Sequence, residues 1–295
     1  MRPQVISVPY RYDRFEEGLG LGPQALLRAG LSEHASAVHV ANLADEEQQE
    51  DRTAINIGRL GHSTASLVAH ARSTGEPVLV VAGDDTATVG VVSGLQESDG
   101  AGRALGIVWF DAHGDFNTPD TSYSGILAGM PLAVIAGLAG PRWREAAELR
   151  LPIAGDRILL VGTRELDGAE DELLRAQSVA MVRASEAMQP DPFGDALASL
   201  ASRCELLYVN IDLDVLDPHL VPSATTPSEG GFDLDELSAL LTAVLETGLV
   251  AVVSITSLNP LGGVRGQNST RSAWSLVQTI LAAWDRVPPL PTGTA

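Results

Sequence analysis

Short apolar segments alternate with longer segments of helical periodicity along almost the whole chain. The apolar segments are rich in β-branched residues and are bounded by polar turns, as expected for strands buried on both faces of a sheet. They cover residues 5–8, 78–82, 104–110, 157–162, 206–211 and 250–255. The helical segments cover residues 22–29, 55–73, 130–139, 170–177, 192–202, 234–247 and 272–287. This alternation predicts the α/β class, with a central, mostly parallel sheet in a three-layer αβα arrangement.

No shift of composition and no linker divides the chain, so we predict a single α/β domain over residues 1–287. The last segment, residues 288–295, is rich in Pro, Gly and Thr and is predicted to be a flexible C-terminal tail. Segments 96–103 and 262–268 are predicted to be surface loops. Apolar residues make up 45% of the chain, which is enough to fill a sizeable core.

The charged residues exclude several classes of function. All 19 basic residues are arginine, against 38 acidic residues, and the formal net charge is −19. Without lysine, the chain cannot form a Schiff base or a P-loop nucleotide site. The acidic charge argues against nucleic acid and anionic membranes as partners. One cysteine, Cys204, excludes a disulfide framework, and no apolar run reaches the ~18 residues of a membrane span. We expect a cytoplasmic protein that binds a small molecule.

Acidic residues follow three of the predicted strands at the point where each strand ends. In open α/β sheets, ligand sites form at the carboxyl ends of strands, and residues two apart share one face. Convergence of these side chains would make the carboxylates repel one another, and two divalent metal ions would compensate that charge better than one. The residues are Asp84 and Asp85 after 78–82, Asp111, His113 and Asp115 after 104–110, and Asp212, Asp214 and Asp217 after 206–211.

Each aspartate, taken singly, has a purely structural alternative. Aspartate is a common turn former and helix cap, and we favour that role for Asp84, Asp120 and Asp217. His113 differs from an ordinary histidine because an aspartate stands two residues to either side of it. The strand-end residues other than Asp84 and Asp217 are therefore interpreted as metal ligands.

These motifs resemble those of the ureohydrolase superfamily, which includes arginase, agmatinase and formiminoglutamase. Residues 111–115 match the motif Asp-Ala-His-x-Asp, and residues 212–218 match Asp-x-Asp-x-x-Asp-Pro. A Gly-Pro turn at 22–23 and Leu-Asn-Pro at 258–260 add support, and the likeness extends from about residue 5 to residue 284. The resemblance implies an arginase-like fold and a binuclear, manganese-dependent hydrolase of a linear C–N bond.

The resemblance also implies roles for individual residues. Asp115 or Asp214 would orient the attacking water or accept its proton. Asn117, Ser122 and Ser124 fall where arginases bind the substrate's α-carboxylate, Asp167 falls where they bind its α-amino group, and Ser257 falls at the guanidinium position. The implied metal ligands are Asp85, Asp111, His113, Asp115, Asp212 and Asp214.

Four of the matched positions depart from the family pattern, and one of them is Thr225, which replaces the glycine of a Gly-Thr-Pro turn. Asp85 replaces a metal-ligating histidine, Ala128 replaces a histidine thought to shuttle protons, and Ser257 replaces the glutamate that holds the guanidinium group. An extra carboxylate weakens the Lewis acidity of the two expected Mn²⁺ ions, and its shorter side chain leaves one of them weakly held. Because a hydroxyl cannot make the bidentate contact that guanidinium prefers, we expect an amino-acid-like amidine, hydroxyguanidine or amide as substrate, rather than arginine or agmatine.

Other interpretations stay open. The chain is alternatively a catalytically inactive relative that binds a small ligand or acts as a scaffold, since both Ala128 and Ser257 lack the family's functional groups. A binuclear phosphoesterase is disfavoured, because no arginine stands in the acidic strand ends to bind phosphate. His219 is a candidate proton donor on sequence proximity alone. Another divalent ion in place of Mn²⁺ and a homo-oligomeric state are also open.

Overall fold

The computed structural model describes residues 1–44, 46, 48–49, 52–189 and 192–293, and its centre is an eight-stranded sheet. All strand pairings in this sheet are parallel, and the strand order is β4-β1-β5-β10-β9-β6-β7-β8. The remaining strands, β2 and β3, form a small antiparallel hairpin. The strands are β1 (Gln4–Val8), β2 (Tyr10–Arg11), β3 (Arg14–Phe15), β4 (Ala37–Val40), β5 (Val78–Ala82), β6 (Leu105–Phe110), β7 (Ile158–Val161), β8 (Ala180–Val182), β9 (Leu206–Asp212) and β10 (Val250–Thr256).

Helices cover both faces of the sheet, which confirms the predicted three-layer α/β class. Along β5, Leu79 and Val81 pack into one hydrophobic layer, while Val78 and Val80 pack into the other. The first layer includes α1, α9, α10 and α11, and the second includes α3 to α7. The helices are α1 (Gly22–Leu26), α2 (Ser32–His34), α3 (Thr53–Ser73), α4 (Thr88–Asp99), α5 (Pro131–Ile135), α6 (Pro141–Ala146), α7 (Gly168–Ala176), α8 (Ala184–Ala187), α9 (Pro192–Ala201), α10 (Leu234–Glu246) and α11 (Val264–Trp284).

The structure differs from the predicted elements in both strands and helices. Strands β2, β3, β4 and β8 have no counterpart in the prediction, because each is only two to four residues long. Helix α4 has no counterpart in the prediction, because its Val-rich sequence is buried almost all round and lacks a polar face. The predicted loop at 96–103 therefore begins inside a helix, and the predicted loop at 262–268 overlaps the start of α11. The predicted helix at 130–139 is confined to α5, and α6 follows it as a separate helix.

The C-terminal segment contacts the body of the protein. Arg72, on α3, donates to the carbonyl of Leu290 (2.8 Å), and the hydroxyl of Thr292 donates to the carbonyl of Arg72 (3.2 Å). The Arg72 guanidinium also forms a buried ion pair with Asp99 (2.8 Å). Hydrogen bonds thus join part of the segment predicted as a tail to α3, whereas residues 294–295 lie outside the described residues. The flexibility of segment 288–295 stays a prediction.

Candidate metal centre and substrate cavity

Four adjacent strands of the sheet, β5, β10, β9 and β6, end at one cavity of about 460 Å³. Sequence-distant residues meet there because these strands are neighbours in the sheet although far apart in the chain. The structure brings together all six residues expected to bind metal, and all are buried except His113, which is partly exposed. They are Asp85, Asp111, His113, Asp115, Asp212 and Asp214.

Asp111 belongs to two overlapping groups of prospective ligands. One group is Asp111, His113 and Asp214, and the other is Asp85, Asp111 and Asp115; within each group the ligand atoms lie within 4.8 Å of one another. His113 Nδ1 is 3.3 Å from Asp111 Oδ1 and 3.2 Å from Asp214 Oδ2. Adjacent ligands in an octahedral shell with bonds of ~2.1 Å are about 3 Å apart. The spacing around His113 therefore fits a divalent ion, and the two overlapping groups would provide ligands for two such ions.

The burial of several carboxylates in one small volume dominates the electrostatics of this centre. Burial and the charge of Asp214 raise the pKa of Asp111 to about 7. Burial by itself would lower the pKa of His113, but the contacts with Asp111 and Asp214 raise it to about 12. Burial and neighbouring carboxylates raise the pKa of Asp115 and of Asp212 well above the ordinary range. One imidazolium cannot neutralise this cluster, which supports compensation by bound cations.

Hydrogen-bond donors hold Asp111 and Asp214, the two aspartates whose side chains contact the His113 ring. Asp111 accepts from Trp109 Nε1 (3.0 Å) and from the backbone N–H of His113 (2.7 Å). Asp214 accepts from the Thr226 hydroxyl (2.8 Å), while the Arg164 guanidinium donates to the carbonyl of Asp214 (2.7 Å). Such partners orient metal-ligating side chains before the ion arrives.

Three donors surround Asp85 at the other end of the cluster. Asn210 Nδ2 (2.8 Å) and the Thr256 hydroxyl (2.7 Å) both donate to Asp85 Oδ1. The Ser257 hydroxyl lies 3.1 Å from Asp85 Oδ2 and 2.6 Å from Asp212 Oδ2. Burial, together with the charge of Asp212, raises the pKa of Asp85 well above its ordinary range. The hydroxyl at position 257 thus contacts two carboxylates of the cluster itself.

Three non-glycine residues of the cavity have positive φ angles. They are Tyr12 (57°), Asp115 (49°) and Ser257 (63°). This left-handed region is costly for residues with a Cβ atom, and such strain concentrates at functional sites. The backbone at Ser257 is tied to β5, because its N–H donates to the carbonyl of Gly83 (3.1 Å).

The residues assigned to the substrate lie beside the metal cluster, with one exception. Asn117, Ser124, Asp167 and Ser257 line the cavity. Asn117 Nδ2 donates to Asp167 Oδ2 (3.2 Å), so the two side chains form one polar surface. Ser122 is outside the cavity lining; its hydroxyl accepts from the Gly125 N–H (3.0 Å) and thus supports the loop.

Several lining residues were not anticipated from the sequence, namely Arg11, Tyr12, Glu165 and Glu170. Tyr12 donates its backbone N–H to Asp84 (2.7 Å), and burial and the Asp84 charge raise the pKa of its phenol, which has a backbone hydrogen bond from Ala128. Glu170 is buried and accepts from the Phe116 N–H (2.9 Å). Only Glu170 carried a sequence signal, because a glutamate in the first turn of a helix is a capping residue.

The remaining strand-end acids have structural roles. Asp84 accepts from the backbone N–H groups of Tyr12 and Thr86, and Asp217 accepts from those of His219 and Gly230. His219 is 68% exposed, pairs with Asp217 and is not part of the cavity lining. The structure therefore does not place His219 where it could protonate a leaving group in the cavity.

Comparison with known proteins gives the family. A family model described as the arginase family matches residues 2–283. The chain belongs to the arginase family. Its relatives in this family include the arginase of Coccidioides posadasii, 30% identical over 293 residues that cover 89% of this chain and 88% of that protein. The arginase of Bacillus caldovelox is 27% identical over 290 residues, covering 92% and 95% of the two chains.

Solved structures of the arginase family agree with this fold. The Bacillus caldovelox arginase structure superposes with a TM-score of 0.83 at 25% identity and covers 95% of this chain and 98% of that chain. The arginase of Entamoeba histolytica in complex with L-ornithine superposes with a TM-score of 0.80 at 22% identity, covering 93% and 97%. Among the residues described here, no helix has the length and apolar character needed to cross a membrane.

Proposed function

We propose that this chain is a binuclear metal-dependent hydrolase, most suited to Mn²⁺, that cleaves a linear C–N bond in a small substrate with an amino-acid end. The observation that carries the proposal is the pair of overlapping ligand groups around Asp111, which opens into a cavity of substrate size. Relatives in the family are arginases, which supports hydrolysis of C–N bonds. A cytoplasmic location and a homo-oligomeric state stay predictions from the sequence.

The proposed metal ligands are Asp85, Asp111, His113, Asp115, Asp212 and Asp214. Divalent ions held by them would supply Lewis acidity for hydrolysis. Asp115 and Asp214 are the proposed catalytic carboxylates, since both line the cavity as well as the ligand groups and can orient a water molecule or hold its proton. The Thr226 hydroxyl keeps Asp214 Oδ2 in place (2.8 Å).

The other side of the cavity would bind the amino-acid end of the substrate. Asp167 is suited to an ammonium group, and Asn117 and Ser124 are neutral groups suited to a carboxylate. The related Entamoeba histolytica arginase was solved with L-ornithine, an amino acid, which supports this assignment. Ser122 would act indirectly, by holding the loop that carries Ser124.

We further propose that the cleaved group is an amidine, hydroxyguanidine or amide, and that arginine and agmatine are poor substrates. Ser257 carries this specificity: its hydroxyl contacts Asp85 and Asp212 and provides no carboxylate for a guanidinium group. The Ala128 side chain likewise provides no proton donor. The phenol of Tyr12, which also lines the cavity, forms a hydrogen bond with the backbone of Ala128.

A screen of amino acids that carry amidine, hydroxyguanidine, ureido or amide groups tests this proposal, with Mn²⁺ added and release of ammonia or urea measured. We expect one of these compounds to be hydrolysed with a kcat/KM at least about tenfold above that of arginine, and the Asp214→Asn variant to lose this activity. Arginine turnover at ~10 s⁻¹ or faster would show the specificity to be wrong. Metal binding without turnover of any compound would favour the inactive, ligand-binding alternative.

A further inference from the structure

The two ligand groups of the centre differ in the atoms that they offer. The group Asp111, His113 and Asp214 combines one imidazole nitrogen with carboxylate oxygens, whereas the group Asp85, Asp111 and Asp115 offers carboxylate oxygens alone. Oxygen-only sites favour hard cations such as Mg²⁺, and imidazole favours transition-metal ions. The two positions are thus chemically unequal although they share Asp111.

The oxygen-only end is supported by polar groups inside the sheet. Asn210 on β9 and Thr256 on β10 are both completely buried, and both donate to Asp85 Oδ1, at 2.8 and 2.7 Å. Two donors on one oxygen fix the orientation of the Asp85 carboxylate. They leave Oδ2, which contacts the Ser257 hydroxyl (3.1 Å), as the less encumbered oxygen.

These two donors belong to a longer row of buried polar side chains. Tyr208 Oη lies 2.8 Å from Ser254 Oγ and 3.5 Å from Asn210 Oδ1. All three residues are buried. Polar groups inside an apolar sheet are costly unless hydrogen-bonded, so a row of them that ends at Asp85 is a specific arrangement. Hydrogen bonds between buried side chains of β9 and β10 therefore hold the Asp85 carboxylate in place.

We propose that the centre has two inequivalent cation positions, one bounded by Asp85, Asp111 and Asp115 that takes a hard cation such as Mg²⁺, and one bounded by Asp111, His113 and Asp214 that takes a transition-metal ion such as Mn²⁺. Asn210 and Thr256 are positioning residues for the first of these. The inference rests on the proposed function only in that both require the cluster to bind metal, and it is tested by binding alone.

Calorimetric titration of the chelator-treated full-length protein with MgCl₂ and with MnCl₂ tests this inference. We expect Mg²⁺ to saturate one position and Mn²⁺ to saturate two, with different affinities. Asp85→His should weaken Mg²⁺ binding by about tenfold or more and add binding of Zn²⁺, because it replaces an oxygen ligand with a nitrogen ligand. The second Mn²⁺ position should be unchanged.

The supporting residues are tested by conservative variants. Thr256→Val and Asn210→Leu each remove one hydrogen bond to a charged group and should weaken Mg²⁺ binding by about tenfold, whereas Thr256→Ser should retain it. Thr64→Val is the matched control, since Thr64 is an equally buried threonine whose hydroxyl donates to the Leu60 carbonyl (2.9 Å), on α3. Circular dichroism confirms that each variant is folded.

Equal affinities for two Mg²⁺ ions, or no Mg²⁺ binding, would overturn the inference. An unchanged affinity in folded Thr256→Val, or an equal loss in Thr64→Val, would overturn the positioning role. Unequal metal positions without hydrolysis of any substrate would contradict the proposed function and leave this inference intact. Hydrolysis by a centre whose two positions bind metal with equal affinity would support the proposed function and overturn this inference.

Discussion

The metal cluster and the loop beside it are built in different ways. The cluster carboxylates stand at strand ends, are buried, and accept hydrogen bonds from groups of the sheet such as Trp109 and Asn210. The loop at 117–126 is largely half-buried or exposed, and its hydrogen bonds are mostly internal, for example from Thr121 to Asn117 (2.8 Å) and from Gly125 to Ser122 (3.0 Å). Under the proposed function, a rigid scaffold would carry the chemistry while a surface loop would select the substrate. A change in the loop would then alter substrate specificity without disturbing the metal ligands.

The largest effect is expected from a change at the carboxylate that both metal positions share. Asp111→Asn keeps the shape of the side chain but removes its charge, and we expect metal affinity at both positions to fall by about 100-fold. Calorimetric titration with Mn²⁺ measures this. Asp217→Asn is the control, because Asp217 follows the same strand end as Asp214 but accepts only from backbone and His219 donors. An equal loss of Mn²⁺ affinity in both variants would contradict the distinction between the metal ligands and the structural Asp217.

A smaller effect, confined to substrate binding, is expected from the loop side of the cavity. Asp167→Asn removes the carboxylate proposed to hold the ammonium group, and KM should rise about tenfold with Mn²⁺ affinity unchanged. Asp120→Asn is the control, because Asp120 is exposed in the loop at 117–126, which hydrogen-bonds to Asp167; it should alter neither quantity. If Asp167→Asn weakened metal binding instead, the division between scaffold and loop would be wrong.

The smallest effect is the pH dependence of stability in the metal-free protein. Folding raises the pKa of Asp111 to about 7 and that of His113 to about 12, so the folded state binds more protons than the unfolded state above pH 4. The stabilisation is complete below the unfolded pKa values and is lost as pH rises. The melting temperature should therefore fall by about 5 °C between pH 5 and pH 8.

Bound Mn²⁺ should reverse this trend, because ions replace protons as the compensating charge and bind better to deprotonated ligands. Thermal unfolding followed by circular dichroism, with and without Mn²⁺, gives the comparison. In Asp111→Asn the fall in the metal-free protein should be smaller. A melting temperature of the metal-free protein that rises from pH 5 to pH 8 would contradict the raised pKa values of Asp111 and His113.

The sequence predicts the scaffold better than the loop for a physical reason. Buried parallel strands are continuous apolar runs, and the acids that follow them are confined to one edge of the sheet, so the positions of Asp111, His113, Asp212 and Asp214 follow from pattern alone. The contacts of Tyr12 with Asp84 and Ala128 depend on how a loop folds back over the cavity. No periodic signal encodes that path.

The buried row beneath Asp85 lies between these cases. Asn210 and Thr256 are polar residues in largely apolar strands, and this is a visible signal of buried polar partners. Their common target is set by the adjacency of β9 and β10 to β5, which only the strand order reveals. Helix α4 could not be predicted from the sequence, because a helix that is buried on nearly all sides lacks the alternation of apolar and polar residues by which helices are recognised.

Anomalous diffraction from crystals soaked in Mn²⁺ at neutral pH would show whether the strand ends form a metal centre, because it locates the ions without any assumption about the substrate. We expect anomalous peaks within the two ligand groups, with the Asp111 carboxylate in contact with both positions. Anomalous peaks only elsewhere on the surface, with the side chains of Asp111, His113 and Asp214 dispersed, would contradict a metal centre at the strand ends.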